Sequence, residues 1–156
     1  MNGRPTMRVA HMRFIAAFIA CASFLLASVA HASVARDAVR ADIGGIDVIA
    51  LPTGVRDVVT LVGSLPAGDD RSPPGNVMLA TLTGAMLDKG TTAQDKFAIA
   101  QKLGNVGAAL SFSVDTGTLQ VRGRCLRKDL PLLVSLMAEQ LRTPAFSEQE
   151  FEKLKV

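Results

Sequence analysis

Most enzyme chemistry needs residues that this sequence barely has. Among 156 residues there is no Trp and no Tyr, and there are only two His and two Cys. Both histidines, His11 and His31, and one cysteine, Cys21, lie in the first 32 residues. Those residues read as an export signal. Arg4, Arg8 and Arg13 give a positive start free of acid, Phe14 to Val29 is an uncharged and mostly apolar run, and Ala30-His31-Ala32 has the small-x-small pattern of a cleavage site. The run is shorter than the roughly 20 residues of a membrane-spanning helix, so no stable span is expected once the chain is cut after Ala32. Lipid anchoring through Cys21 is disfavoured, because much of the apolar run follows that residue.

Removing residues 1–32 leaves 14 Lys+Arg and 14 Asp+Glu, so the formal +3 belongs to the signal alone. A nucleic-acid-binding domain wants a basic stripe and stacking aromatics. Net neutrality and four remaining Phe argue against one. Without His, no Ser-His-Asp or Cys-His arrangement can be built. Cys125 alone remains, which excludes an internal disulfide and suits either a free thiol or a small buried hydrophobe. Catalytic zinc takes three ligands from His, Cys and carboxylates, and carboxylates alone suit calcium or magnesium better. Of the acidic clusters, Asp69-Asp70 reads as a solvated loop, while Glu148, Glu150 and Glu152 suit the start of a helix. Gly44-Gly45 and Gly104 to Gly107 lack the context of a phosphate loop. Arg122, Arg124, Arg127 and Lys128 read as the wet face of a hairpin running into a helix start.

Along the chain, Val34 to Asp42 reads as a weakly ordered leader, within an expected leader segment 33–42. Ile43–Pro52 and Asp57–Leu65 read as strands, the second apolar enough for burial on both faces. Ala67–Gly75 is a loop. Asn76–Lys89 is expected to be a buried helix, capped by Asn76 and ended at Gly90, with Gly84 packed closely against a sheet. Thr92–Asp95 resembles a capping box for a helix to Leu103 lined by Phe97, Ala100 and Leu103. Ala108–Asp115 and Leu119–Cys125 alternate cleanly around Thr116-Gly117, which predicts a hairpin with one wet face. Asp129 starts the next helix, with Leu130, Leu133, Val134, Met137 and Leu141 as its apolar stripe and Thr143-Pro144 as its stop. Ser147 and Glu150 spell a capping box and Phe146 and Phe151 a staple for a last helix. No stop signal follows that helix before Val156, so either a longer natural product or the remnant of a longer gene is expected.

Several of these pieces, in order, resemble the opening of an M16 (insulinase/pitrilysin-like) peptidase domain. They are Gly63-Ser64 with Ala67-Gly68, then Met86-Leu87-Asp88-Lys89-Gly90-Thr91, then Leu103-Gly104 and Ser113-Val114-Asp115-Thr116, then Lys128-Asp129-Leu130 and the run Leu141 to Ser147. The resemblance covers roughly Gly45 to Val156. It implies an α+β fold in which a mixed or antiparallel sheet is packed with helices, residues 43–156 being the N-terminal portion of such a metalloenzyme domain. Active members carry H-x-x-E-H on the helix that ends in the Met86–Thr91-like stretch, two His binding zinc and Glu activating water. Counting back from Lys89-Gly90-Thr91, those positions are Thr81, Gly84 and Ala85. The family's third ligand, a downstream Glu, falls at or beyond Val156.

The signal-like residues 1–32 imply export, and the resemblance implies a non-catalytic domain with no zinc of its own, zinc being expected only in an active partner or a region outside this chain. Such a domain would pair with an active M16-type subunit and help hold a peptide substrate. One alternative is a portion of a larger active zinc metalloendopeptidase whose motif lies elsewhere. Another is an exported binding module or an inactive gene remnant.

Overall fold

The computed structural model describes residues 37–155. The expected signal, residues 1–32, lies outside them. The chain divides into two compact units, Met1–Gly54 and Val55–Val156.

In the first unit, β1 (Val39–Ile43) and β2 (Ile46–Ala50) form an antiparallel hairpin. Residues 39–42 are thus strand, where a weakly ordered leader was expected, and the strand expected over Ile43–Pro52 is split, Ile43 ending β1 and Ile46–Ala50 forming β2. Gly44 and Gly45 have φ of 62° and 84°, the mirror-image turn that suits strand twist. Asp42 Oδ1 accepts from the Gly45 amide at 3.1 Å, and Arg40 grips Asp47 across the strands through two donors. The register puts Val39, Ala41, Ile43, Ile46, Val48 and Ala50 on one apolar face.

In the second unit, β3 (Val58–Leu65), β4 (Ala109–Val114) and β5 (Leu119–Leu126) make an antiparallel sheet in the order β3-β5-β4. The predicted hairpin is β4–β5. Its alternation holds, with Leu119, Val121, Gly123 and Cys125 buried and Arg122 and Arg124 exposed. Asp115 closes its turn, accepting from the Gly117 and Thr118 amides at 2.9 and 2.8 Å, which lowers its pKa. Burial of β3 on both faces does not occur. It is an edge strand of a sheet covered on one side, and Val62 remains 69% exposed.

Helices α1 (Leu79–Met86), α2 (Lys96–Asn105), α3 (Leu130–Arg142) and α4 (Glu148–Leu154) complete the unit. α1 is shorter than predicted. Asn76 does not cap it, residues 87–89 tighten into a 3-10 turn, and only its C-terminal half is buried. Gly90 at φ 125° ends the segment. α2 starts later than the Thr92 capping box implies. Asp95 is its cap, accepting from the Ala98 amide at 2.8 Å. Its buried contact is Ile99, whereas Phe97 is 72% exposed.

α3 is rotated from the expected stripe. Leu133, Leu136 and Gln140 are buried and Val134 faces out, because Gln140 takes a core position with its amide nitrogen unpartnered among the described residues. Asp129 occupies the cap position of α3 without making a side-chain cap bond. In α4, Ser147 is at the cap but makes no side-chain bond, and the Glu150 carboxylate is drawn to Lys96 and Lys153 rather than back to Ser147. Among the described residues, no helix is long and apolar enough to cross a membrane.

Candidate functional site on the first helix

α1 has no acid in its first turn and no local side-chain cap. Its free N-terminal amides are answered from the preceding loop. Ser72 Oγ accepts from the Ala80 amide at 3.1 Å, and Asp69 Oδ1 accepts from the Thr81 amide at 3.1 Å. Asp69 Oδ2 also accepts the Thr81 hydroxyl at 2.8 Å. Asp69 is therefore a half-buried cap, and only Asp70 fits the solvated loop that was expected of both. Their own amides are held by Asp115 O and Thr116 O at 3.1 and 2.8 Å, which fixes the loop on the β4–β5 turn.

The middle of α1 lies against the sheet. A Cβ placed on Gly84 would stand 2.4 Å from Val114 Cγ2 and 3.5 Å from Leu119 Cδ1, so the helix backbone itself forms the contact. This is the close packing predicted for Gly84. Thr81, Gly84 and Ala85 stand at i, i+3 and i+4, one helical face. They do not fit a zinc ion. Thr81 spends its hydroxyl on Asp69, Gly84 has neither donor nor room for one, and Ala85 offers a methyl group. Among the described residues, no group of three His, Cys, Asp or Glu side chains is placed to hold a metal.

The far end of α1 is tied down by contacts that the sequence did not point to. Thr91, 5% exposed, donates to Glu139 of α3, whose other oxygen accepts from Gln94 Nε2 at 2.7 Å. Lys102 Nζ donates to Gln94 Oε1 at 2.6 Å. The backbone adds Thr92 N–H to Thr143 O and Ala145 N–H to Gly90 O, both at 3.0 Å. Capping and helix-stop signals in the sequence mark the ends of this segment but say nothing of Glu139, which lies 48 residues from Thr91.

Two hollows flank the helix ends. One of about 180 Å³ is bordered by Gly68, Arg71, Ser72 and Leu79, and a broader one of about 460 Å³ runs between Lys89–Phe97 and Ala145–Glu150. At the second, Glu150 is held well below the usual carboxylate range, at about 2, by hydrogen bonds from Lys153 and Lys96. Cys125 is 3% exposed, and burial, then the nearby Asp129 charge, pushes its thiol pKa up. That leaves it a small buried hydrophobe.

The fold is α+β, an antiparallel sheet covered on one face by helices around a segment that closes with Met86–Thr91. The insulinase profile, peptidase family M16, matches residues 64–156. The chain belongs to that family. It is similar in fold to the crystal structure of a peptidase M16 inactive domain from Pseudomonas fluorescens, with a TM-score of 0.70 and 23% identity over 76% of this chain. The chain spans 29% of the length of that structure. No curated protein matches it.

Proposed function

We propose that this chain is a non-catalytic M16 domain that is exported and acts as the peptide-holding partner of an active zinc peptidase subunit. The observation that carries the reading is the state of α1. Thr81, Gly84 and Ala85 replace the three motif residues, and the helix is nevertheless capped by Asp69, packed through Gly84 and anchored through Thr91. A helix retained in its place without its metal chemistry serves shape rather than hydrolysis. The inactive domain from Pseudomonas fluorescens gives the same reading a parallel. Zinc and the activated water belong to the partner in this reading. The export step rests on residues 1–32, whose order of charge, apolar run and cleavage pattern is that of a signal.

The test is affinity capture of the tagged full-length product from the periplasmic or secreted fraction of its source cell, with zinc measured on each component. Recovery of an H-x-x-E-H protein carrying zinc, while the captured chain carries none, is the expected result. Capture of no such protein, or stoichiometric zinc on the isolated chain, overturns the reading.

A further inference from the structure

The sheet has a second face, turned away from α1 and α3. There β5 presents Arg122 and Arg124, both exposed. Arg122 stands in register between Val62 of β3 and Ser111 of β4, and Arg124 between Thr60 and Ala109. Among the described residues, no carboxylate comes within ion-pair distance of either guanidinium. Arg122 Nη2 donates to Gln120 Oε1 at 3.0 Å, a neutral acceptor that leaves its charge in place. Two like charges thus sit on the central strand, flanked by small and hydroxylated side chains that leave them accessible.

Side chains two apart on a strand share a face and are separated by about 7 Å. An extended peptide carries its own alternate side chains at that same spacing. A peptide laid along β5 with carboxylates on alternate residues would bring one to each guanidinium, whose planar fork donates two parallel hydrogen bonds to a carboxylate. The exposed Val62 offers an apolar rest beside the pair. Single-stranded nucleic acid fits less well. The registered positions on this face are Thr60, Val62 and Ser64, Ala109, Ser111 and Ser113, with no aromatic for bases to stack on.

We infer that this open sheet face binds an extended acidic peptide segment whose carboxylates fall on alternate residues. The inference rests on the chain being a peptide-holding partner and names the class of peptide it would hold.

The test uses the full chain and fluorescence anisotropy at low ionic strength. The probes are a labelled alternating Glu-Ala peptide, the alternating Lys-Ala peptide, a Glu-Glu-Ala-Ala peptide of the same composition, and a single-stranded oligonucleotide. The alternating acidic peptide should bind best and lose affinity as salt rises. Replacing both arginines with glutamine (R122Q/R124Q) should weaken it roughly tenfold, while R127Q/K128Q leaves it within about twofold. Equal binding by R122Q/R124Q or by the Lys-Ala peptide, or tighter binding of the oligonucleotide, overturns the inference. Amide shift mapping on the unsubstituted chain keeps the test open should the double variant misfold. Shifts should centre on Thr60–Ser64 and Gln120–Arg124, and shifts confined to other residues overturn it. Capture of an active peptidase is measured separately, so failure of the acidic-peptide result leaves the partner role standing, and the reverse.

Discussion

Two helices meet the same sheet in opposite ways. At α1 the glycine is on the helix, and Gly84 lets backbone settle onto Val114 and Leu119. At α3 the glycine is on the strand, and Leu133, 1% exposed, fills the space over Gly123, where a Cβ would lie 2.9 Å from Leu133 Cδ2. The first junction resists any side chain on the helix, because the obstacle is the stiff branched Val114. The second is a side chain seated over a hole, and it fails by losing that side chain. The helix that carries the candidate positions is thus the one whose docking leaves no room for a side chain at Gly84.

The sharpest test of this contrast is Gly84→Glu, which puts a long charged side chain where the helix backbone meets the sheet. The carboxylate must displace Val114 and enter an apolar contact. A stability loss of at least about 4 kcal/mol, or failure to fold, is expected on urea unfolding. A loss under about 1 kcal/mol would erase the distinction between the junctions. Next is Leu133→Ala, which empties the space over Gly123 and should cost about 3 kcal/mol in the same measurement. Asp69→Ala removes the cap of α1 and its bond to the Thr81 hydroxyl, for about 1–2 kcal/mol. Amide exchange should quicken in Ala80–Thr83 and stay unchanged in α3.

The smallest effect concerns Glu150, which ties α4 to α2 through Lys96 and lies apart from both junctions. Its pKa in the fold, about 2, is below the ordinary 4.5, so its stabilising effect is complete above 4.5 and is lost as pH falls through about 2. The difference in urea midpoint between the wild type and Glu150→Gln should shrink across that window. A difference constant from pH 7 to pH 2 would break the assignment.

The sequence made part of this fold legible and hid the rest for physical reasons. The β4–β5 hairpin could be read because alternation and turn chemistry are local, and its buried positions follow the pattern residue by residue. The close of α1 could be read because Gly90 and the residues before it carry a stop signal. The face of α1 could not, since a nearly all-apolar segment has no period to orient it. The caps of α1 were hidden because Asp69 acts twelve residues away, and a search for local capping finds Asn76 instead. In α3 the polar Gln140 occupies a core place that hydrophobic spacing assigns to Leu141. The two-glycine turn at Gly44-Gly45 was a hairpin signal in plain view, and reading the charged stretch before it as a leader concealed β1. The candidate positions Thr81, Gly84 and Ala85 lie a fixed few residues before Gly90 on one helix, whereas Thr91 and Glu139 meet only in three dimensions.

The way α1 is capped also predicts an order in time. A helix of eight residues is marginal in water. This one is capped by Asp69, whose loop is held by the carbonyls of Asp115 and Thr116 in the β4–β5 turn. The loop that carries the cap is fully held only once chain segments far apart in sequence have met, and that meeting costs loop entropy. The hairpin, joined by adjacent residues, carries no such debt. Helix α1 is therefore expected to consolidate after the β4–β5 turn that holds its cap, an order that φ-values at Asp69 lower than those in the hairpin would bear out.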